Sequence, residues 1–327
     1  MSETTQAPGA AGRRWRALAA EYLGLTVALA GLILFFSLAT RHFFSATNFA
    51  TIANQIPAAM LVATGMTLVL IIAEIDLSVG SVQGLCGVVL GVLLARAGWP
   101  LWAAVPVALL TGLACGAFNG LVTLRWRLPS FIVTLGMLEM ARGGAHFLTG
   151  SRTEYLGARV APLTQWSLFG LSLPFLLALG IVVGTQFVLT RTVFGRHLVA
   201  IGTNPEAVRL SGIDPRPRKL AVFMLTGLLV ALAAVIDVAR FQSANPNDGI
   251  GFELQAIAAV VIGGTSLMGG RGSVISSFFG VLIIAILNSG LAAMGARDET
   301  KRLITGAVII AAVIVDYYRR RWGRKVG

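Results

Sequence analysis

The sequence predicts an all-α polytopic membrane protein with about ten transmembrane helices, or eight if two segments are re-entrant, and with both termini in the cytoplasm. Three observations predict it. Hydrophobic residues are 56% of the 327, and with 38 glycines they make about two-thirds of the chain, against roughly 45–50% in soluble domains. Charged residues are only 12%, and mean hydropathy is +0.81. The apolar residues fall in long unbroken runs, close to the ~20 residues a helix needs to cross a bilayer. A soluble domain cannot hide that much apolar surface. Low hydrophobicity with high charge, the mark of disorder, is absent. Two cysteines cannot staple a small scaffold, and a barrel would show alternating strands of about ten residues.

Ten stretches are expected to form the spans, approximately Tyr22–Thr40, Pro57–Ala73, Leu77–Ala95, Leu101–Leu124, Phe131–Thr149, Leu171–Thr190, Leu220–Ala239, Leu254–Met268, Val274–Met294 and Leu303–Tyr318. The second, eighth and tenth are short. The eighth carries Gly263 and Gly264 near its end and is either broken or re-entrant, as backbone lining protein or water can be. Residues 1–21 read as a polar cytoplasmic tail, 22–318 as a single transmembrane domain and 319–327 as a basic cytoplasmic tail. Arg13, Arg14 and Arg16 before an apolar run resemble a signal sequence, but the run is long enough to stay as an uncleaved first span. Cys86 and Cys115 fall inside spans three and four and read as packing residues.

The net charge of +12 reads as topology and not as nucleic-acid binding. With the termini inside, 17 of the 26 basic residues fall on the cytoplasmic side: the N-terminal arginines, Arg125 and Arg127, six between Arg191 and Lys219, Arg271, and the C-terminal cluster. The segment 191–219 stands out by its length. Within it Thr203-Asn204-Pro205-Glu206 is a helix start, with a cap, proline at the first position and an acid in the first turn. Ala207 to Leu210 continue it and Gly212 stops it. A short amphipathic cytoplasmic helix follows, either a packed linker or, on such a minimal membrane protein, a partner contact.

Catalytic motifs are missing. Gly264-Thr-Ser-Leu-Met-Gly269-Gly270-Arg271 has phosphate-loop glycine spacing but no lysine and no preceding strand. His42, His146 and His197 lie on separate elements without a zinc pattern, and there is no nucleophile elbow. Glu139 and Arg142 on span five, and Asp237 and Arg240 on span seven, are three apart, close enough to neutralise one another as local ion pairs or to form the polar wall of a path. Asp76 has no adjacent base; with Ser78 it either caps the third span or lines a pathway. Gly112, Gly116 and Gly120 on span four, and Gly80, Gly84, Gly87 and Gly91 on span three, have the spacing of close helix packing. Gly80-Ser81-Val82 recurs as Gly272-Ser273-Val274, a three-residue hint of duplicated halves.

Four blocks carry a family resemblance: Glu74-Ile-Asp-Leu-Ser-Val-Gly-Ser-Val82; Pro129-Ser-Phe-Ile-Val-Thr-Leu-Gly-Met137 with Ala141-Arg142-Gly143; Phe194 to Ile213; and Gln255 to Val274. In this order they resemble the permeases of ribose-type ABC sugar importers, of the branched-chain amino acid/ribose permease superfamily, over about Asn48 to Asp316. Asp237 and Gln242 depart from the expected small or apolar residues, and Glu74 from glycine, which bears on the identity of the sugar.

The resemblance implies a permease in a bacterial inner membrane that works by alternating access. It further implies a separate ATP-binding-cassette ATPase, an extracytoplasmic sugar-binding protein, and a second permease copy or paralogue. It implies no cofactor on this chain and no enzymatic activity. It implies that Gly202, Asn204, Glu206, Ala207, Arg209, Leu210 and Gly212 belong to the segment coupled to the ATPase. Asp76, Ser78, Asn119 and Asn245 are the polar candidates for the substrate path. The competing classes are an ion-coupled secondary transporter, with an intramembrane acid as its coupling site, and, more remotely, a membrane enzyme.

Overall fold

The structure, a computed structural model, describes residues 10–164 and 166–323. Thirteen α-helices occur among them: α1 (Ala10–Ala39), α2 (Ala46–Gln55), α3 (Pro57–Ile71), α4 (Val79–Ala95), α5 (Leu101–Trp126), α6 (Ser130–Thr149), α7 (Leu173–Arg191), α8 (Val193–Thr203), α9 (Pro205–Leu210), α10 (Pro215–Phe241), α11 (Phe252–Ile262), α12 (Val274–Ala293) and α13 (Asp298–Gly323). Two single-turn 3-10 helices, Gly157–Arg159 and Ala161–Leu163, and two antiparallel pairs of two-residue strands complete the described elements. β1 (Glu154–Tyr155) pairs with β4 (Ser243–Ala244), and β2 (Ser167–Leu168) with β3 (Leu171–Ser172).

Each of the ten apolar stretches contains a helix, yet the spans are less uniform than expected. Five helices are long and apolar enough to cross a membrane by themselves: α1 from Tyr22, α5, α7, α10 and α12. The pair α2 and α3, bent by 49° at the Ile56–Pro57 junction, makes a sixth if counted together. Helices α4 and α11 are shorter, while α6 and α13 have the length but carry more polar residues. Helix α1 starts at Ala10 and so enters the expected tail, whose residues 1–9 lie outside the described residues; α13 ends at Gly323, ahead of 324–327, which also lie outside them.

Helix α10 is the axis of the bundle and packs against α5, α3 and α4. Its partner α5 runs antiparallel, as the order of contacts shows: Gly112 meets Gly227, Gly116 meets Phe223 and Gly120 meets Leu220. Side chains at these three glycines would collide with α10, so the predicted close-packing face is used as such. Helix α3 is also antiparallel to α10. Glu74, just beyond its end, pairs with Lys219; in its middle Gly65 O accepts from Thr226 Oγ1 at 3.2 Å; and at its head Gln55 O accepts from Arg240 Nη1 at 2.7 Å. A buried hydroxyl bond from Thr67 Oγ1 to Ser277 Oγ, 2.8 Å, joins α3 to α12. Trp102, Phe147 and Phe169 are 80%, 88% and 96% exposed, a surface suited to lipid or a partner and not to water.

Both expected intrahelical ion pairs are corrected by the structure. Among the described residues the ion pairs are Arg96–Glu154, Arg209–Glu206, Lys219–Glu74 and Lys301–Asp298. Arg240 turns to the Gln55 carbonyl and stacks over Phe241, 4.3 Å from the ring centre. Arg142 turns away from Glu139 to carbonyls of a distant segment. Helical spacing allows such pairs, but backbone carbonyls that lack a partner at helix breaks are stronger claimants for a guanidinium. The repeated Gly-Ser-Val sits differently at its two sites: Ser81 lies inside α4, whereas Ser273 caps α12 by accepting from Ser276 N.

Candidate functional site

The segment 191–219 folds as two helices, not one. Thr192 caps α8 through Gly195 N at 3.2 Å, and Asn204 Oδ1 caps α9 by accepting from Glu206 N and Ala207 N at 3.1 and 3.0 Å. Gly212 follows α9 at φ +84°, and Asp214 Oδ1 accepts from Arg216 N to start α10. Helix α8 was not read from sequence; its signal, Thr192 followed by the periodic Phe194, Leu198 and Ile201, is interrupted by Gly195 and Gly202. On α9, Val208 is buried and anchors the helix, while Glu206, Ala207, Arg209 and Leu210 are exposed. Arg209 Nη2 donates to Glu206 Oε1 at 2.6 Å, and that hydrogen bond holds the guanidinium proton more firmly than usual.

Gly202 is the exception among the seven coupling candidates, because it is buried against the bundle. A Cβ there would overlap the Ile71 carbonyl oxygen and approach Gly270 N to 2.5 Å. Gly270 N donates to that same Ile71 oxygen at 2.9 Å. Three chain segments thus meet at one backbone oxygen: the end of α8, the end of α3, and the 263–273 turn after α11. Beside this knot Ala73 is left-handed at φ +60°, and Glu74 pairs with Lys219 at the foot of α10, both side chains about 15% exposed or less.

From the knot the chain runs without helix over residues 74–78 before α4 starts. Ile75 N donates to Ser130 Oγ at 3.0 Å and Leu77 N to Thr134 Oγ1 at 3.1 Å, so hydroxyls of α6 take the place of a missing helical turn. Asp76 stands at the head of α4. Its Oδ1 accepts from Ser78 N at 2.9 Å and Ser78 Oγ at 2.6 Å, and Asn119 Nδ2 donates to Ser78 Oγ at 3.0 Å. The structure therefore brings Asp76, Ser78 and Asn119 together, all 3% exposed or less. Asp76 forms a turn that opens the helix, which accounts for its position ahead of the apolar run.

Asn245 lies elsewhere. It starts a non-helical segment, Asn245-Pro-Asn-Asp-Gly-Ile-Gly251, and its Oδ1 accepts from Asn247 N at 2.9 Å. This segment descends along α4: Ala244 sits at Gly91, Asp248 at Gly84 and Gly249 at Gly80. The glycine face of α4, expected to receive a helix, receives bare backbone at Gly80 and Gly84, with the side chains of Val238 against Gly87 and Ala244 against Gly91. Arg142 Nη1 donates to the carbonyls of Pro246 and, at 2.9 Å, Asp248, supplying the donors that a helix would have provided. The heads of α4 and α11 meet there, with Glu253 against Gly80. Next to them Gln83 Nε2 donates to Asp237 Oδ2 at 2.7 Å. The buried acceptors Gln83 Oε1 and Asn119 Oδ1 find no donor among the described residues. Gln83 and Pro246–Gly249 were not singled out from sequence, and Arg142 was read only with Glu139, as an ion pair or a polar wall, although the run of turn formers between two apolar stretches was a usable signal.

Among the described residues no three His, Cys, Asp or Glu side chains gather as metal ligands. What the arrangement offers is two broken spans with helix heads converging inside the bundle, joined by short contacts to an ordered helix pair at one end. The family model described as branched-chain amino acid transport system / permease component matches residues 48–313. The ribose import permease protein of Escherichia coli (strain K12) is 39% identical over 297 residues, covering 89% of this chain and 92% of that protein. The fructose import permease protein of Rhizobium meliloti is 35% identical over 311 residues, covering 92% and 85%. The xylose transport system permease protein of Escherichia coli (strain K12) is 35% identical over 360 residues, covering 91% and 92%.

Proposed function

This chain belongs to the branched-chain amino acid transport system / permease component family, and from that premise we propose that it is the membrane-spanning subunit of an ATP-binding-cassette sugar importer. It carries a monosaccharide or a related polyol inward by alternating access. It is a permease and not an enzyme, and a separate cassette protein hydrolyses the ATP. The observation that carries this is identity of 35–39% to ribose, fructose and xylose permeases over about nine-tenths of the chain. An extracytoplasmic binding protein delivers the sugar. The path forms between two copies of this chain, or this chain and a paralogue, in a bacterial inner membrane.

Ten spans with both termini in the cytoplasm accord with the bias of 17 basic residues to one side. The transmembrane domain is 22–318, flanked by the two tails, and 191–219 is its cytoplasmic coupling loop. Asn204, Glu206, Ala207, Arg209, Leu210 and Gly212 form the surface that meets the ATPase, and Gly202 passes the movement inward. Support comes from exposure of the first six and burial of Gly202 on Ile71. When the cassettes close, α8 and α9 move, the knot at Ile71 moves with them, and the non-helical 75–78 segment shifts the head of α4. Partners thereby bias two arrangements of one bundle. Asp76, Ser78 and Asn119 line the inner part of the path and Asn245 the outer part. The unpaired acceptor on Asn119 suits a substrate rich in hydroxyl donors. The chain needs no cofactor for this.

Reconstitution tests it. Proteoliposomes holding this chain and its cassette protein, with binding protein outside, should take up sugar only with ATP. Uptake by the chain alone under an ion gradient, lost on Asp76→Asn, would establish the secondary transporter instead.

A further inference from the structure

A cavity of about 440 Å³ lies within one chain, between α2, the head of α3, the end of α10, and helices α11, α12 and α13. It sits away from Gly202, because Arg240 meets Gln55 at the head of α3 whereas Gly202 rests on Ile71 at its other end. The size falls within the range of small-molecule sites. Its lining mixes an apolar part, including Phe252, Ile56 and Ile284, with three side-chain amides, Gln55, Gln255 and Asn288. These amides have bonding capacity to spare. The Gln55 and Gln255 side chains make no hydrogen bond among the described residues. Asn288 Oδ1 accepts one long bond from Thr305 Oγ1 at 3.4 Å, and its Nδ2 has no acceptor among the described residues. Arg240 Nη1 donates to the Gln55 carbonyl at 2.7 Å, and the rest of the guanidinium has no acceptor among the described residues. No described carboxylate lines the cavity, and its other cation, Lys301, is paired with Asp298.

We infer that this cavity is a binding site for one neutral monosaccharide or polyol, separate from the path at Asp76, Ser78 and Asn119. The choice follows from matching donors and acceptors. An amide carries an acceptor and two donors, and a sugar hydroxyl likewise both donates and accepts. Several hydroxyls on one small frame can use the three amides and the free donors of Arg240 together. An apolar ligand would strand those groups without partners. An anion would use donors alone, leave the amide oxygens idle, and find Lys301 already neutralised by Asp298. A cation would meet two basic side chains and no described acid. The carbon skeleton of the same polyol covers the apolar part of the lining at Phe252, Ile56 and Ile284. On the proposed topology this end faces the extracytoplasmic side, so a sugar leaving the binding protein meets this site before the inner path. That role as an entry site rests on the importer reading; the binding chemistry does not.

The test uses the full chain purified in an uncharged detergent whose headgroup is not a sugar. Saturation-transfer NMR reads contact with ribose, xylose, fructose or myo-inositol at millimolar concentration. At least one of these should bind saturably, and inorganic phosphate should not displace it. Gln255→Ala should weaken the apparent affinity about tenfold. Ala285→Trp, which fills the cavity, should abolish binding. In a background lacking Cys86 and Cys115, a cysteine introduced by Ala292→Cys, also on the lining, should react several-fold more slowly with a polar thiol reagent when the polyol is present. Binding by none of the polyols, displacement by phosphate, or unchanged affinity in Gln255→Ala or Ala285→Trp overturns the site. If Ala285→Trp does not fold, an unprotected Ala292→Cys thiol overturns it instead. Uptake by the reconstituted complex judges the importer reading separately. ATP-driven uptake that persists when polyol binding fails leaves that reading intact, and binding without ATP-driven uptake removes the reading but keeps the site.

Discussion

The α-carbon of Gly202, next to the last residue of α8, rests on the carbonyl oxygen of Ile71, the last residue of α3. No other side chain than hydrogen fits between them, and the same oxygen accepts from Gly270 N. A loop that sequence shows as long, basic and carrying one short helix is thereby fastened to a break inside the membrane domain. If that contact transmits movement, its geometry should matter more than the polarity of the exposed helix beside it.

Gly202→Ala should lower stability by about 1–3 kcal/mol through overpacking against backbone, seen as a lower melting temperature of the purified chain. In the reconstituted complex, sugar moved per ATP should fall with it. Gly136→Ala, at a glycine with open space around it, should leave both within error. An unchanged melting temperature and stoichiometry for Gly202→Ala would show that α8 and α3 are not locked.

Helix α9 separates folding from docking. Asn204→Ala removes a cap with two amide partners and should cost about 0.5–2 kcal/mol. Glu206→Ala and Arg209→Ala break an exposed pair, so the melting temperature should hold while assembly with the cassette protein weakens, as read by co-purification. Intact assembly and transport in both variants would remove α9 from the contact surface.

Arg142→Gln should release the 245–251 segment from α4. In a background lacking Cys86 and Cys115, a cysteine introduced by Asn247→Cys should react with a polar thiol reagent several-fold faster once Arg142 is replaced. Each carbonyl left without its donor would cost about 1–3 kcal/mol, and Arg142→Lys should restore part of the protection. Equal labelling rates would mean that the glycine face of α4 holds the segment unaided.

Gln83→Leu should strand the Asp237 carboxylate and destabilise the chain by about 1–3 kcal/mol, whereas Gln83→Leu with Asp237→Leu should recover much of that loss. Chemical denaturation in detergent of the two single variants and the double variant gives the coupling. Simple additivity would show that the bond at 2.7 Å contributes nothing beyond packing.

The membrane class, the ten apolar stretches, the cap of α9 and the α5 packing face were all legible in the sequence, because each depends on residues within a few turns of one another. Four linear blocks carried the family for the same reason. Helices α2 and α8 escaped because polar residues and glycines interrupt their apolar period. The ion pairs went astray because spacing can state only which partners are near along a helix. Arg142 found carbonyls 104 and 106 residues away, and Gly80 and Gly84 found bare backbone where a helix was expected. The amino-acid sequence by itself determined that this is a polytopic permease with an ordered loop at one face, through local hydropathy and capping. The tertiary structure alone decided that the loop sits on Ile71 and that two broken spans converge at Gly80. A buried backbone group cut off from water must find whatever donor or acceptor the packed chain brings within reach, and that choice is made across the whole fold.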